Sequence, residues 1–249
     1  MSALTLTLRT PPARSIDLPA LTPERLAGLN AAQIGALELR NGLRVEDLFD
    51  VGVGDAQHLI FRNSCERLTH IGAGMRSGVI TVEGDCGSHA GLGMKGGSLI
   101  INGNTGDFAG GALPGDRQGM RGGILAIQGN AGDRAGERMR RGLLLVGGNA
   151  GAYCGANVLA GTIFVAGRVG SMPGFSLKRG TLLLKHAPVD LPATFQDSGE
   201  HALLFLTLLE NQLRQGGDAF SRFLPFAKKV RRYCGDLAWG GTGEILVFV

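Results

Sequence analysis

The sequence predicts an all-β chain: a right-handed parallel β-helix of about six 19-residue rungs, with a small α/β cap before it and a helix-containing extension after it. Three observations carry that expectation. The first is a repeat. VITVEGDCGSHAGLGMKGG (79–97), ILAIQGNAGDRAGERMRRG (124–142), LLLVGGNAGAYCGANVLAG (143–161) and TIFVAGRVGSMPGFSLKRG (162–180) share one length and one template. Nineteen residues are too few for a helix pair and fit short strands joined by turns. The second is glycine at three fixed offsets: Gly84, Gly103, Gly129, Gly148 and Gly167; then Gly87, Gly106, Gly132, Gly151 and Gly170; then Gly91, Gly110, Gly136, Gly155 and Gly174. Glycine supplies the positive φ angles and tight corners that each turn needs. The third is a pair of apolar columns, Ile80, Leu99, Leu125, Leu144, Ile163 and Leu182, with Val82, Ile101, Ile127, Val146, Val165 and Leu184 two places on. Residues two apart on a strand share a face, so these columns form the core.

Taken in order, residues 1–59 read as an N-terminal cap module. They open with an alternating strand (Leu4, Leu6, Leu8), break at Pro11-Pro12, and show two helix starts, Thr22-Pro23-Glu24 and the capping pattern Asn30-Ala31-Ala32-Gln33. The β-helix of GXGXG repeats occupies 60–187. Its first copy (60–78) is degenerate, keeping Gly72, Met75, Arg76 and Gly78 but placing Asn63 where the inner valine belongs. An atypical terminal copy is what a solenoid cap looks like. The spacing from Gly103 to Gly129 is 26 where the others are 19, so the third copy carries an insertion, placed at 111–119. Insertions in solenoids map to loops on one face and often bind. A seventh copy starts at 181–187, sets His186 at the glycine position and stops. Residues 188–249 form a C-terminal extension, in which 200–214 reads as an amphipathic helix with Leu203, Leu206, Leu209 and Leu213 near one stripe, and 244–249 as a strand. Between the two core columns lies an apolar outward column, Thr81, Ile100, Ala126, Leu145, Phe164 and Leu183, and the helix is expected to cover it.

Composition fits a cytoplasmic protein. The hydrophobic content of 44% supports a core, and 42 glycines in 249 residues recur at 19 and not at 3, which excludes collagen. The N-terminus lacks the apolar region of an export signal, and no apolar run approaches membrane-spanning length. Cys65, Cys86, Cys154 and Cys234 show no CxxC pairing and read as reduced structural residues.

The search for chemistry yields no catalytic residue, no metal site and no cofactor site. His58, His70, His89, His186 and His201 form no HxH or HExxH arrangement, and the His89 offset, shared with Phe108, Arg134 and Tyr153, reads as a row of exposed side chains. Asp85, Asp107, Asp133, Asn104, Asn130 and Asn149 stand after glycines, where turn chemistry accounts for them. Strings such as Gly72-Ala73-Gly74 do not join a strand to a long helix and are no dinucleotide fingerprint. One column points outward: Arg76, Lys95, Arg121, Arg140 and Lys178 follow the apolar site of successive repeats, broken only by Leu159, with Arg141 and Arg179 beside it. Cations stacked about 5 Å apart repel one another unless solvent or a counter-charge relieves them. Two readings follow, a solvated edge that discourages strand pairing or a docking strip for an acidic partner or polyanionic tail. Nucleic acid is disfavoured by a net charge of only +4 and by the lack of interleaved aromatic residues.

The register G-x-x-G-x-x-x-G-x-x-[MVL]-[KR]-x-G, as in Gly84, Gly87, Gly91, Met94, Lys95 and Gly97, resembles the GXGXG β-helix found in the C subunit of formylmethanofuran dehydrogenase and in the C-terminal domain of glutamate synthase large chains. It covers about half the sequence. Segments 21–51 and 231–247 look like the stand-alone C subunit, and a start at Met1 with its own cap agrees with that form. The resemblance implies one of two settings: a tungsten or molybdenum formylmethanofuran dehydrogenase, or the bacterial formyltransferase/hydrolase complex. The latter passes a formyl group from tetrahydromethanopterin to a methanofuran-type carrier and hydrolyses it to formate. With 20 Arg against 5 Lys the composition leans to the bacterial complex. The resemblance places catalysis in an amidohydrolase-like subunit and a formyltransferase subunit, and leaves this chain as a scaffold in one-carbon metabolism. Two other readings stand beside it: an enzyme with an active site between rungs, disfavoured because no acidic column matches the basic one, and a free-standing glutamate-synthase-like β-helix.

Overall fold

The computed structural model describes residues 2–40, 42–113 and 115–249. Met1, the predicted stand-alone start, and Pro114 of the insertion lie outside the described residues. In chain order the elements are β1 (Ala3–Leu8), β2 (Ile16–Asp17), α1 (Pro23–Leu26), α2 (Ala31–Gly35), α3 (Val45–Leu48), β3 (Phe49–Gly52), β4 (Asp55–Ser64), β5 (Leu68–Thr69), β6 (Val79–Gly84), β7 (Ser98–Ile101), β8 (Arg121–Ile127), β9 (Arg141–Val146), β10 (Thr162–Val165), β11 (Thr181–Leu184), β12 (Gln196–His201), α4 (Leu204–Gln215), β13 (Val230–Gly235) and β14 (Gly243–Phe248).

Twelve strands form one sheet in the order β12-β13-β14-β11-β10-β9-β8-β7-β6-β4-β1-β3. Three of them, β3, β12 and β13, join antiparallel, which leaves nine parallel strands. From β6 to β11 each strand pairs with its repeat equivalent: Ile80 with Leu99, Leu99 with Leu125, Leu125 with Leu144, Leu144 with Ile163, and Ile163 with Leu182. A second file of parallel bridges runs Cys86, Thr105, Ala131, Ala150, Val169. Both expected inner columns are fully buried. The flanks extend them: Leu4 and Leu6 of β1 register with Leu59 and Phe61 of β4, and Ile245 and Val247 of β14 register with Leu182 and Leu184 of β11. The alternating leucines of β1 thus supply one more layer of core before the repeats, and the last strand closes the column after them.

The first copy differs from its sequence reading. Leu59 pairs with Ile80 and Phe61 with Val82, and the register shifts between Phe61 and Ser64. Phe61 is therefore the inner residue, while Asn63 is exposed at φ 56° in the irregular stretch. Asparagine tolerates the left-handed region better than valine does, so Asn63 marks a local irregularity and not a damaged core position. The capping pattern at Asn30 is present: its side chain accepts the Gln33 amide at 2.9 Å, and the Gln33 side chain accepts the Asn30 amide at 3.0 Å. The expected helix over 200–214 begins at Leu204 instead, because residues 196–201 pair with β13.

On the outer face, Ala126, Leu145, Phe164 and Leu183 are buried in a second cluster with Leu206 and Leu213 of α4, Phe220, Phe223, Phe226 and Leu246. Phe164 is its hub, with ring centroids at 5.1 Å from Phe226, 5.9 Å from Phe248 and 6.4 Å from Phe223. Burying such a ring stabilises the fold by about 2 kcal/mol. Thr81 and Ile100, at the other end of the column, lie outside this cluster and are half-buried.

The glycines divide into two kinds. Gly91, Gly110, Gly136, Gly155 and Gly174 have φ between 62° and 73°, as the turn reading requires. Gly132 does not: a Cβ there would collide with Oδ1 of Asp107 and with the backbone of the preceding repeat. At that offset glycine is needed because the layers stack closely.

Candidate functional site

The basic residues lie in one column. The Lys95 amide donates to the Met75 carbonyl at 2.7 Å, Arg121 to Met94 at 2.7 Å, Arg140 to Met120 at 2.8 Å, Leu159 to Met139 at 2.8 Å and Lys178 to Val158 at 2.8 Å. Each position is thus fixed by the apolar site of the repeat before it. The Arg76 amide is instead taken by the Glu24 carboxylate at 3.1 Å, which ties α1 to the start of the column. Arg76, Lys95, Arg121 and Arg140 are exposed and Lys178 is half-buried. Among the described residues none of the five forms an ion pair with Asp or Glu, although Arg134, Arg138, Arg214, Arg231 and Arg232 all do. The column therefore meets no counter-charge among the described residues.

At its break the column opens into a groove of about 500 Å³ lined by Gln118, Arg140, Arg141, Leu159, Ala160 and Arg179. The neutral Leu159 makes room there between arginines above and below. The insertion borders this groove. Its base closes where the Met120 amide donates to the Gly110 carbonyl at 2.8 Å, and Arg138 braces it by donating to the Asp116 carbonyl at 2.7 Å.

The acidic and amide residues at the turn offsets do more than form turns. Oδ1 of Asp85 accepts the Asn104 amide at 2.7 Å, Oδ1 of Asn104 accepts that of Asn130 at 2.8 Å, Asn130 that of Asn149 at 2.8 Å, and Asn149 that of Arg168 at 2.8 Å. A parallel file runs from Asp107 to the Asp133 amide and from Asp133 to the Ala152 amide, both at 2.8 Å. Turn-to-turn ladders replace the local turn chemistry expected, because the partner of each side chain stands one repeat away.

The row at the His89 offset is a planar stack. His70 lies 4.7 Å from His89 with an interplanar angle of 10°, and His89 lies 5.3 Å from Phe108 at 2°. Further along, the Arg134 guanidinium sits 4.9 Å from the centre of the Tyr153 ring. Residues 70, 89, 108, 134, 153 and 172 all hold positive φ. Burial and then the neighbouring His70 hold His89 below its ordinary value. Asp17, 3.2 Å from Nδ1 of His70, is opposed by burial, but the Thr69 hydroxyl, His70 and Arg40 outweigh that and lower its carboxyl. The equal offsets in the sequence are the signal for this stack, because planar side chains held in one backbone conformation on successive layers lie face to face.

Burial pushes the Cys86 and Cys154 thiols up to about 12, which makes them poor nucleophiles at neutral pH. Among the described residues no three His, Cys, Asp or Glu side chains gather to hold a metal ion, and no helix is long and apolar enough to cross a membrane.

No family model matches the chain. Its sequence is 38% identical over 86 residues, 33% of this chain and 32% of the relative, to the Fhc C subunit of the formyltransferase/hydrolase complex of Methylorubrum extorquens. It is 29% identical over 92 residues, 35% of this chain and 34% of the relative, to the C subunit of tungsten-containing formylmethanofuran dehydrogenase 2 of Methanococcus maripaludis. These matches span about a third of the length of either curated relative. The structural likeness is longer. A chain in the X-ray crystal structure of the formyltransferase/hydrolase complex (FhcABCD) from Methylorubrum extorquens in complex with methylofuran superimposes with a TM-score of 0.83 and 36% identity, over 98% of this chain and 99% of that one. The chain belongs to the family of the C subunit of the formyltransferase/hydrolase complex, which is homologous to the C subunit of formylmethanofuran dehydrogenase.

Proposed function

We propose that this chain is a non-catalytic scaffold subunit of a cytoplasmic formyltransferase/hydrolase complex. That complex moves a formyl group from formyl-tetrahydromethanopterin to a methanofuran-type carrier and hydrolyses it to formate. The observation that carries the reading is the end-to-end likeness, at 36% identity, to a chain of such a complex. Its partners are an amidohydrolase-like subunit and a formyltransferase subunit, with no nucleic acid and no membrane among them. In this reading the parallel stack is a right-handed β-helix over 60–187. The cap at 1–59 and the extension at 188–249 complete it, consistent with the inner columns running on into β1 and β14.

The basic column is the docking strip. Arg76, Lys95, Arg121, Arg140 and Lys178 lack acidic partners among the described residues, so an acidic surface of a partner or the glutamate-rich tail of the carrier can neutralise them at little competing cost. The donor set fits a polycarboxylate: Arg binds carboxylates through paired N–H groups and Lys as a point charge.

Affinity purification of the tagged chain, followed by native mass spectrometry, tests the reading. Recovery with an amidohydrolase-like and a formyltransferase subunit supports it. Recovery with a tungsten- or molybdenum-containing subunit, or with glutamate synthase, rejects it, and so does formyl-group turnover by the chain alone.

A further inference from the structure

At the end of the stack opposite α1, three segments enclose a pocket of about 470 Å³: the last repeat turn around Phe175, the link at 190–194, and the 236–239 turn. Its walls are fixed. The Asp236 carboxylate accepts the Ser176 amide at 3.1 Å and the Ala238 amide at 3.0 Å, while the Leu237 amide donates to the Thr194 carbonyl at 3.0 Å. Two aromatic rings line it, Phe175 and Trp239, and both are strongly exposed for their type, at 41% and 52%. The charged side chains that line it are both carboxylates, Asp190 and Asp236. Asp236 is 4% exposed, and among the described residues neither carboxylate lies within ion-pair distance of a Lys or Arg. A carboxylate has about four acceptor positions, so two backbone donors leave Asp236 with capacity.

We propose that this pocket receives an arginine side chain from a partner polypeptide. Charge complementarity selects the occupant. On a chain of net charge +4 whose column surface is basic, this recess is lined by acids. The mixed lining selects it further: an arginine buries an apolar stem, stacks its guanidinium on aromatic faces and offers paired donors to a carboxylate. Trp239 already takes a cation on its ring, since Nζ of Lys178 lies 4.5 Å from its centre. Exposed aromatic rings beside a built recess are also the usual anchors of protein interfaces.

Trp239 is the single tryptophan of the chain and lines this pocket, so its fluorescence reports on binding there. The isolated full-length chain is titrated with Nα-acetyl-arginine amide and with its citrulline counterpart, which has the same shape and no charge. The expected result is a saturable change with the arginine probe at about 1–10 mM, as one anchored side chain allows. The citrulline probe should bind at least about fivefold more weakly. Asp190→Asn, on an exposed residue remote from the fold's hydrogen bonds, should weaken the arginine probe about threefold and leave the unfolding midpoint unchanged. Equal midpoints for the two probes, or no saturable change with arginine, overturn the proposal. The titration needs no partner, so its failure is distinguishable from failure of the complex reading, which co-purification alone decides.

Discussion

Two polar columns run along the same stack with the same period, and they behave oppositely. The Asp85, Asn104, Asn130, Asn149 file spends its side-chain oxygens on the next repeat, each accepting a backbone N–H at 2.7–2.8 Å. In the Arg76, Lys95, Arg121, Arg140, Lys178 file, the last four tie their backbone to the previous repeat and Arg76 to Glu24 of α1, and the five charges meet no carboxylate among the described residues. A recurring polar residue whose partner lies one repeat away is part of the fold. One that meets no counter-charge among the described residues is an offer to another molecule.

The largest expected effect is on the hydrogen-bonded side of this comparison, the Asp85–Asn149 file and the Asp107–Asp133 file parallel to it. Gly132→Ala places a methyl against Asp107 and the Gly106 backbone, and should destabilise the chain by about 3 kcal/mol in urea unfolding. A loss below about 1 kcal/mol would mean that the layers can part and that close stacking is not what the glycine serves. Asn130→Ala removes the acceptor for the Asn149 amide and the donor to Asn104, and should lower stability by about 1 kcal/mol in the same assay.

A smaller effect concerns pH. His89 is held below its ordinary value, so as pH falls below about 6.5 the unfolded chain takes up a proton that the folded chain refuses, and stability declines. His89→Phe, which copies the ring at Phe108, should flatten thermal stability between about pH 7 and 5. A slope equal to that of the parent would overturn the assignment of this pH dependence to His89.

The smallest effect on stability should come from the second column. Arg121→Glu with Arg140→Glu is expected to shift the unfolding free energy by less than about 0.5 kcal/mol. The same pair should weaken assembly of the complex or carrier binding, with a reduced dependence on salt. If assembly and carrier affinity both stay at parental values, the column is only a solvated edge.

Much of the molecule is legible in the sequence because a stack repeats its environment. The strand registers of β6 to β11, the two inner columns, the Asn30 cap and the cover over Phe164 follow from period and polarity, since equal offsets meet equal neighbours. Asn63 departs from its predicted place because a register shift at the end of β4 breaks the offset rule locally. The ladder role of the Asp and Asn side chains is hidden because a sequence shows turn propensity but not a hydrogen bond between residues 19 or 26 apart. Residues 200 and 201 leave the predicted helix because they pair with β13 across about thirty residues of chain.

By itself the sequence determined the period, the core columns, the position of the basic file and the family that these imply. Each depends only on which residues recur, and in a layered chain recurrence along the sequence becomes adjacency in space. Only the tertiary structure decided that β14 returns to close the stack, that the basic file has no counter-charge among the described residues, and that Phe175, Asp190, Asp236 and Trp239 line one pocket. Those facts join segments that lack the common period, and their contacts are set by the packing of the whole chain, which no local pattern encodes.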